Sequence, residues 1–416
     1  MRGQIRDGTL VALACVLSAF GVAMLYSAGQ IEGTTVIEGI WKQQLAWLVI
    51  GVGAAYFVSR APGRLVEWGA IPAYAVAVLL LLALLIPGVG TGAGTAKSAQ
   101  SWLTIGGTRL GQPSELAKIA VVLMLAKVLA PRREAPKSLF ELWKPILIVG
   151  IPWLLIMKQP DLGTGMVLVG IFFAMLFWSG ASWQLLVFAA SPAISLILAF
   201  STGLWGAWFL LLLALVVRYR PYVVESVAIV LVNVVMGVVA PMIWDKMQPH
   251  QRERLLVFLD PQSDARAAGY QLLQSQVAIG SGGLFGKGYT MGTQKRLAFL
   301  PTRETDFIFP VVAEELGFIG VTIALALLCV FLLRVVRIAT RALDPFSALV
   351  AFGLAAAWLV HIVVNVGMTI GLIPITGIPL PFFSYGGSFM LTCWIGIGLL
   401  VRISAGGRGR ADTLAI

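Results

Sequence analysis

The chain has 416 residues, of which 59% are hydrophobic and only 12% are charged, so a soluble globular protein is excluded. Its formal charge of +11 comes mainly from Lys and Arg in short loops between apolar runs, a distribution that membrane topology explains better than nucleic-acid binding. Several runs exceed the ~18 apolar residues that cross a bilayer. The composition therefore predicts an all-α polytopic membrane protein with no nucleic-acid partner.

Twelve apolar runs are predicted as transmembrane helices. They lie at 9–28, 41–59, 67–87, 114–130, 143–157, 163–179, 184–200, 204–217, 222–243, 306–334, 346–371 and 385–401. The first run lacks a small-residue cleavage pattern, so it is read as a membrane helix rather than as a signal peptide. Between the ninth and tenth runs lies a large polar loop at 244–305, the one long polar interval of the sequence.

The distribution of basic residues predicts the orientation of these spans. With the N-terminus in the cytoplasm, Lys and Arg cluster on the cytoplasmic side, whereas the loops 29–40 and 372–384 contain neither residue. Both termini are then expected inside, and the 244–305 loop is expected outside the cytoplasmic membrane.

Two ionisable residues, Glu115 and Lys118, are predicted inside the fourth span. Their spacing of three residues places them on one helix face, where they can form an ion pair. Pro113 begins this helix, and its positive end faces outward, which suits an anionic group. A substrate-binding role and a purely structural, mutually neutralised pair both remain open.

Further polar groups lie near other span ends. Asp161 is read either as the cap of the helix that follows it or as a cavity residue. His361 and Asn365 are four residues apart, a spacing more typical of a helix–helix hydrogen bond than of a ligand set. Only two His are present, and the three Cys lie scattered in apolar runs, so no histidine-based metal site, no cysteine metal cluster and no disulfide is predicted. The segment 371–388 holds three Pro and is expected to line a cavity or to pack on protein.

The large loop carries the polar chemistry. Residues 245–305 contain eight Lys and Arg against five Asp and Glu, a mixture that suits a phosphorylated substrate with a hydroxyl group to deprotonate. The glycine-rich run 279–288 does not match a P-loop, because Ser281 replaces the first glycine and Gly288 follows Lys287. A plain turn is favoured over an anion-binding nest.

Five ordered motifs together resemble the SEDS (shape, elongation, division and sporulation) family, and specifically its RodA branch. They lie at 112–118, 159–165, 259–288, 292–317 and 365–388. The resemblance implies a peptidoglycan glycosyltransferase that polymerises lipid II on the outer face of the cytoplasmic membrane during cell elongation. It also implies as partners a class B penicillin-binding protein and other membrane proteins of the elongation complex.

The resemblance assigns a catalytic role to one residue of the loop. The family's essential aspartate is the second of an Asp-Pro-x-x-Asp pair, which matches Asp264, although Ala265 stands where the family usually has Pro. Asp264 is the predicted general base, and a divalent cation, Mg²⁺ or Mn²⁺, is left open without assigned ligands. The predicted substrate-binding residues are Glu115, Lys118, Asp161, Arg252, Gln274, Lys287, Arg303 and Ser384.

The number of spans departs from the family, whose members commonly have ten. The excess lies between residues 180 and 221, so an inserted helical hairpin is predicted at 181–219 within a single membrane domain spanning 1–416. A flippase for a lipid-linked precursor is the alternative function. The lack of a half-to-half repeat and the crowding of polar residues on one side count against it.

Overall fold

The structure is a computed structural model. It describes residues 7–30, 39–86, 89–91, 101–105, 108–132, 134–246, 252, 268–297 and 299–411. The described helices are α1 (Gly8–Ala28), α2 (Ile40–Arg60), α3 (Gly63–Ala83), α4 (Pro113–Leu129), α5 (Trp143–Lys158), α6 (Leu162–Trp178), α7 (Trp183–Leu198), α8 (Thr202–Tyr219), α9 (Val223–Lys246), α10 (Ala268–Ser281), α11 (Thr293–Arg296), α12 (Ile308–Thr340), α13 (Pro345–Ile370) and α14 (Gly387–Ala411). A short 3₁₀-helix, Leu139–Leu142, leads into α5.

Each of the twelve predicted spans coincides with one of these helices, and the all-α polytopic membrane fold is confirmed. Within the part of the chain that the structure describes, eight helical segments are long and apolar enough to cross a membrane by length and composition. Helices α6 and α7 are apolar but shorter. Helix α4 has 17 residues and carries buried charged groups, which lower its hydropathy.

Helix α13 lies at the centre and packs against α4, α6 and α12, whereas α14 packs along α2. Small residues make these close contacts possible, as in other membrane bundles. A Cβ atom added to Gly398 of α14 would lie 2.7 Å from the carbonyl oxygen of Ala55 on α2. Because no side chain intervenes, the two helix backbones approach closely at this point.

Helices α7, α8 and α9 form a three-helix unit with its own apolar cluster of Phe188, Leu212 and Ile229. Helix α7 packs more extensively on α9 than on α8. Asn233 of α9 holds the unit together, because its amide donates to Ser191 at 2.8 Å and accepts from Ser195 at 2.5 Å. The predicted hairpin at 181–219 is thus helical and packs against the following helix. Its origin as an insertion stays a prediction.

A small antiparallel sheet, which the sequence did not predict, precedes α4. Its strands are β1 (Gly90–Thr91), β2 (Trp102–Ile105) and β3 (Thr108–Gly111), in the order β1-β2-β3. Strand β3 is followed by Gln112 and then by Pro113, the first residue of α4. The fixed φ of proline suits this position, where no backbone donor is needed. The sheet therefore leads directly into the polar start of α4.

Helix α12 is broken at Gly317, whose backbone angles (φ 65°, ψ −166°) are not helical. The glycine-rich segment 282–288 fills this break. The N–H groups of Lys287 and Gly288 donate to the carbonyls of Glu314 and Glu315, at 2.9 and 3.0 Å. In the other direction, the N–H groups of residues 318 and 319 donate to the carbonyls of residues 283 and 284.

The glycines of this segment are required by close backbone approach. A Cβ atom at Gly286 would lie 2.0 Å from the carbonyl oxygen of Glu315, and one at Gly317 would lie 2.2 Å from the amide nitrogen of Gly286. Both residues also have positive φ. The predicted turn is confirmed at 282–285. The N–H groups of residues 286–288 bond backbone carbonyls, so these three do not form an anion-binding nest.

Candidate functional site

A polar cluster gathers where α4, α6 and α14 begin. Asp161 is the N-cap of α6, since its side chain accepts from the Thr164 amide at 3.0 Å and from the Thr164 hydroxyl at 2.8 Å. The same carboxylate accepts from the Gln112 side chain at 3.1 Å. The backbone N–H of Gln112 in turn donates to the Ser388 hydroxyl at 3.3 Å. Of the two interpretations of Asp161 that the sequence left open, capping is confirmed. Asp161 also joins α6 to the start of α4, and its contact with substrate stays a prediction.

The predicted Glu115–Lys118 ion pair is present one turn further along α4. The Lys118 ammonium lies 2.9 Å from Oε1 of Glu115 and 2.8 Å from Oε2, and the two residues are 3% and 4% exposed. On its other side the ammonium is 2.8 Å from Nε2 of His361. The second ring nitrogen, Nδ1, lies 3.0 Å from the carbonyl oxygen of Pro379.

These contacts define the hydrogen-bonding roles of His361. A carbonyl oxygen only accepts, so Nδ1 carries the proton and Nε2 is left as an acceptor for the Lys118 ammonium. An ammonium has three N–H donors. Among the described residues, Glu115 and His361 accept two of them, which leaves one N–H of Lys118 without an acceptor there.

The segment between α13 and α14 lies against this cluster, which it contacts through the carbonyl of Pro379. As predicted for 371–388, residues 371–386 are not helical and pack on the protein. Their backbone groups are satisfied by side chains: Asn365 donates to the carbonyl of Ile378 at 2.7 Å, and Gln44 donates to the carbonyl of Ser384 at 3.1 Å. Non-helical backbone at membrane depth requires such partners. Asn365 therefore bonds helix to loop rather than helix to helix, whereas His361 makes the predicted helix–helix hydrogen bond, with Lys118 of α4.

Ser384 is buried at 1% exposure, and its hydroxyl is engaged within the protein. It donates to the carbonyl of Thr305 at 2.6 Å and accepts from the amide of Leu380 at 2.8 Å. Tyr385 extends the same connection, because its amide donates to the carbonyl of Glu304 at 2.8 Å. In this structure Ser384 joins the end of the large loop to the 371–386 segment, and its contact with substrate stays a prediction.

A second group of charges lies where α12 begins. Lys287 donates to Glu314 at 2.8 Å. Glu314 is 1% exposed and also accepts from the amides of Thr293 and Gln294, at 2.8 and 3.1 Å. A carboxylate at the N-terminal end of α11 is favoured by the free amides there. In this structure Lys287 forms an ion pair with Glu314 and its side chain is 28% exposed, and its contact with substrate stays a prediction.

Lys295 and Glu315 form a fully buried ion pair next to this group, each at 0% exposure. Ser27, in the last turn of α1, binds both partners: its hydroxyl donates to Glu315 at 2.5 Å, and its carbonyl accepts from Lys295 at 2.6 Å. Burial lowers the pKa of Lys295, and the adjacent Glu315 carboxylate opposes that shift. The pair ties the loop to α1 and α12.

Arg303 lies close to the same end of α1. Its guanidinium donates to the carbonyls of Ala28 and Leu300, at 3.2 and 3.3 Å, and the residue is 4% exposed. Burial lowers its pKa, although Glu304 acts in the opposite direction. Arg252 is partly buried with its guanidinium 5.8 Å from the centre of the Trp244 ring, and Gln274 is half-buried on α10.

The structure thus brings together three predicted site residues at the starts of α4 and α6: Glu115, Lys118 and Asp161. Lys287 is held near the start of α12, and Arg303 is held at the end of α1. Asp264, the predicted base, lies outside the described residues.

The sequence analysis missed some of the polar contacts. Gln112 begins one of the five motifs, but its contacts are not predicted by the sequence pattern, nor are those of Ser27, Gln44 and Lys295. A polar residue near the end of a predicted span is the signal that would have found Ser27 and Gln44. Among the residues that the structure describes, no three His, Cys, Asp or Glu side chains could together hold a metal ion. A divalent cation therefore stays an untested prediction, and no step is derived through it.

Comparison with known proteins gives full-length matches. The family model of FtsW, RodA and SpoVE, described as "Cell cycle protein", matches residues 8–211 and 200–408. The peptidoglycan glycosyltransferase MrdB of Escherichia coli (strain K12) is 36% identical over 399 residues, which cover 95% of this chain and 93% of MrdB. The peptidoglycan glycosyltransferase RodA of Treponema pallidum (strain Nichols) is 35% identical over 429 residues, covering 96% and 97%.

Solved structures with a similar fold lead to the same family as the sequence matches. A structure described as "Structural coordination of polymerization and crosslinking by a peptidoglycan synthase complex" includes a chain that is 29% identical, with a TM-score of 0.71 and coverage of 97% of this chain and 99% of that one. The crystal structure of the rod shape determining protein RodA of Thermus thermophilus is 26% identical, with a TM-score of 0.62 and coverage of 96% and 97%. The chain therefore belongs to the SEDS family, the family of FtsW, RodA and SpoVE.

Proposed function

We propose that this protein is a peptidoglycan glycosyltransferase that polymerises lipid II during cell elongation. The enzyme class predicted from the sequence agrees with the names of its full-length relatives MrdB and RodA. In the proposed reaction the C4 hydroxyl of the acceptor sugar attacks the anomeric carbon of the donor. The new glycosidic bond forms as the bond to undecaprenyl pyrophosphate breaks, and the hydroxyl proton passes to Asp264 as general base.

The observation that carries this proposal is the buried charged cluster at the starts of α4 and α6. Burial of Glu115 and Lys118, next to the partly buried Asp161, carries a considerable desolvation cost, and charged groups in membrane spans are functional by default. The N–H of Lys118 that has no acceptor among the described residues is suited to a pyrophosphate oxygen, and charge-assisted bonds of this kind are strong where water is excluded. Arg252 and Arg303 are the further cations proposed to hold the leaving group.

The proposed orientation follows from the distribution of Lys and Arg. Both termini are cytoplasmic, and the 244–305 loop with Asp264 lies on the outer face of the cytoplasmic membrane, where the polymer is built. The proposed partner is a class B penicillin-binding protein that cross-links the glycan, together with other membrane proteins of the elongation complex. Support comes from the structural match to a complex in which polymerisation and cross-linking are coordinated.

Purified protein in liposomes with lipid II tests this function and separates it from a flippase. We expect glycan strands from the wild-type protein, none from Asp264→Asn, and substantially retained synthesis from Asp260→Asn as the matched control in the same loop. Addition of a class B penicillin-binding protein to the liposomes tests the partner. Translocation of lipid II without polymerisation would contradict the proposed reaction and would favour the flippase.

A further inference from the structure

A polar cavity of about 370 Å³ lies at the opposite end of α9 from the catalytic loop. It is lined by the 3₁₀-helix, the start of α7, the end of α8 and the start of α9. This volume is within the ~300–1,000 Å³ range of small-molecule sites. Two cations line it, Lys137 and Arg220, and so do the acceptors Glu225 and Gln184. The catalytic cluster uses none of these residues.

The cavity lies at the end of the helices, where headgroups meet the apolar part of a bilayer. Trp183 and Tyr219 pack edge to face here, with ring centres 5.2 Å apart, and Trp183 is 53% exposed. Exposed Trp and Tyr side chains at helix ends are typical of the membrane interface. Next to the cavity, Val217 of α8 is 72% exposed and provides an apolar surface that an acyl chain can follow.

The anionic side of the cavity is Glu225, which is 3% exposed. Its Oε1 accepts a hydrogen bond from the Ser138 hydroxyl, which fixes the carboxylate. The amide oxygen of Gln184 is buried and has no hydrogen-bond partner among the described residues. A buried acceptor without a donor is costly, so a ligand that brings N–H donors would stabilise it.

The cationic side consists of side chains that can move to a ligand. Lys137 and Arg220 are both exposed, and Lys137 pairs with Glu134 at 2.5 Å. That pair is fully open to water, where such pairs contribute little, so a phosphate can replace Glu134. A simple anion would be repelled by the Glu225 carboxylate. A ligand that carries both a negative and a positive charge can bind the cations on one side and the carboxylate on the other.

We propose that this cavity binds the headgroup of phosphatidylethanolamine, with its primary ammonium on Glu225 and Gln184 and its phosphate on Lys137 and Arg220. The lipid belongs to the leaflet that the proposed orientation makes cytoplasmic. Basic pockets between membrane helices on that side are known sites for lipid headgroups. The carboxylate and the unpartnered amide oxygen distinguish this site from a purely anionic-lipid site.

Native mass spectrometry of the delipidated full-length protein in detergent, titrated with defined lipids, tests the proposal. Phosphatidylcholine is the matched lipid control, because it has the same charges but no N–H donor. We expect phosphatidylethanolamine to bind about tenfold more tightly than phosphatidylcholine, the effect of one hydrogen bond to a charged group. Equal binding of the two lipids, or tighter binding of phosphatidylglycerol, would overturn the proposal.

Variants assign the two sides of the site. Glu225→Gln should lower phosphatidylethanolamine binding about tenfold, while Glu141→Gln, which removes an exposed carboxylate outside the cavity, should not. Ser138→Ala keeps the carboxylate and should keep the preference for phosphatidylethanolamine. Arg220→Gly, which tolerates the positive φ of 46° at this position, should weaken both lipids equally. If Glu225→Gln folds and retains the lipid preference, Glu225 is not the ammonium site and the proposal is wrong.

Discussion

The buried Glu115–Lys118 pair makes an asymmetric prediction about stability. Lys118→Met leaves the Glu115 carboxylate, at 3% exposure, without a cation, and breaking such a pair costs about 3–5 kcal/mol of unfolding free energy. Glu115→Gln leaves the Lys118 ammonium with His361 and an amide oxygen as acceptors, so we expect a smaller loss of about 1–3 kcal/mol. The double variant removes both charges and should recover about 1–3 kcal/mol relative to the sum of the single losses.

Titration of the purified protein from mild detergent into sodium dodecyl sulfate, followed by tryptophan fluorescence, measures these free energies. The chain offers a matched control in Glu134 and Lys137, which have the same residue types and the same spacing but side chains that are 74% and 73% exposed. Glu134→Gln and Lys137→Met should show no measurable coupling. Additive losses at Glu115 and Lys118, or a larger loss from Glu115→Gln than from Lys118→Met, would refute the reasoning.

The charge-swapped variant Glu115→Lys with Lys118→Glu separates stability from function. It retains one charge of each sign, but it moves the ammonium away from His361 and from the position proposed for pyrophosphate. We expect a folded protein that makes no glycan strands. Wild-type polymerisation by the swapped variant would show that the pair is purely structural.

Three further predictions concern other parts of the chain. Asp264→Asn should abolish polymerisation without changing thermal stability, and Asp260→Asn should retain much of the activity; wild-type turnover by Asp264→Asn would contradict the assignment. Gly317→Ala should destabilise the protein by at least about 1 kcal/mol in the same titration, because φ is positive and the added Cβ meets backbone, while Gly280→Ala, with open space around it, should not. Asn233→Val should lower stability by about 1–2 kcal/mol and leave polymerisation intact, and an unchanged unfolding midpoint would show that its bonds to α7 do not hold the three-helix unit.

The sequence predicted the helices well because membrane spans are specified locally, by length and hydropathy. It also predicted the Glu115–Lys118 pair, since a spacing of three residues on a helix implies contact. Capping by Asp161 could also be recognised from the sequence, as one of two open interpretations, because a cap depends only on the few residues that follow it.

The contacts that the sequence did not predict join residues far apart in the chain. His361 meets Lys118 from another helix, and Ser27 meets Lys295 from α1. No local spacing encodes such pairings. The break of α12 at Gly317 was also missed, because the apolar run continues through it and the glycine alone does not identify the segment that fills the break.

The broken α12 has a consequence for how the protein assembles. Backbone groups on both sides of Gly317 find partners in residues 283–288, which precede α12 in the chain. Unbonded backbone groups are costly in a lipid environment, so the part of α12 around Gly317, residues 314–319, cannot be stable until this segment has docked. The helix and the segment must therefore form as one cooperative folding unit, and hydrogen exchange should show their amides opening together.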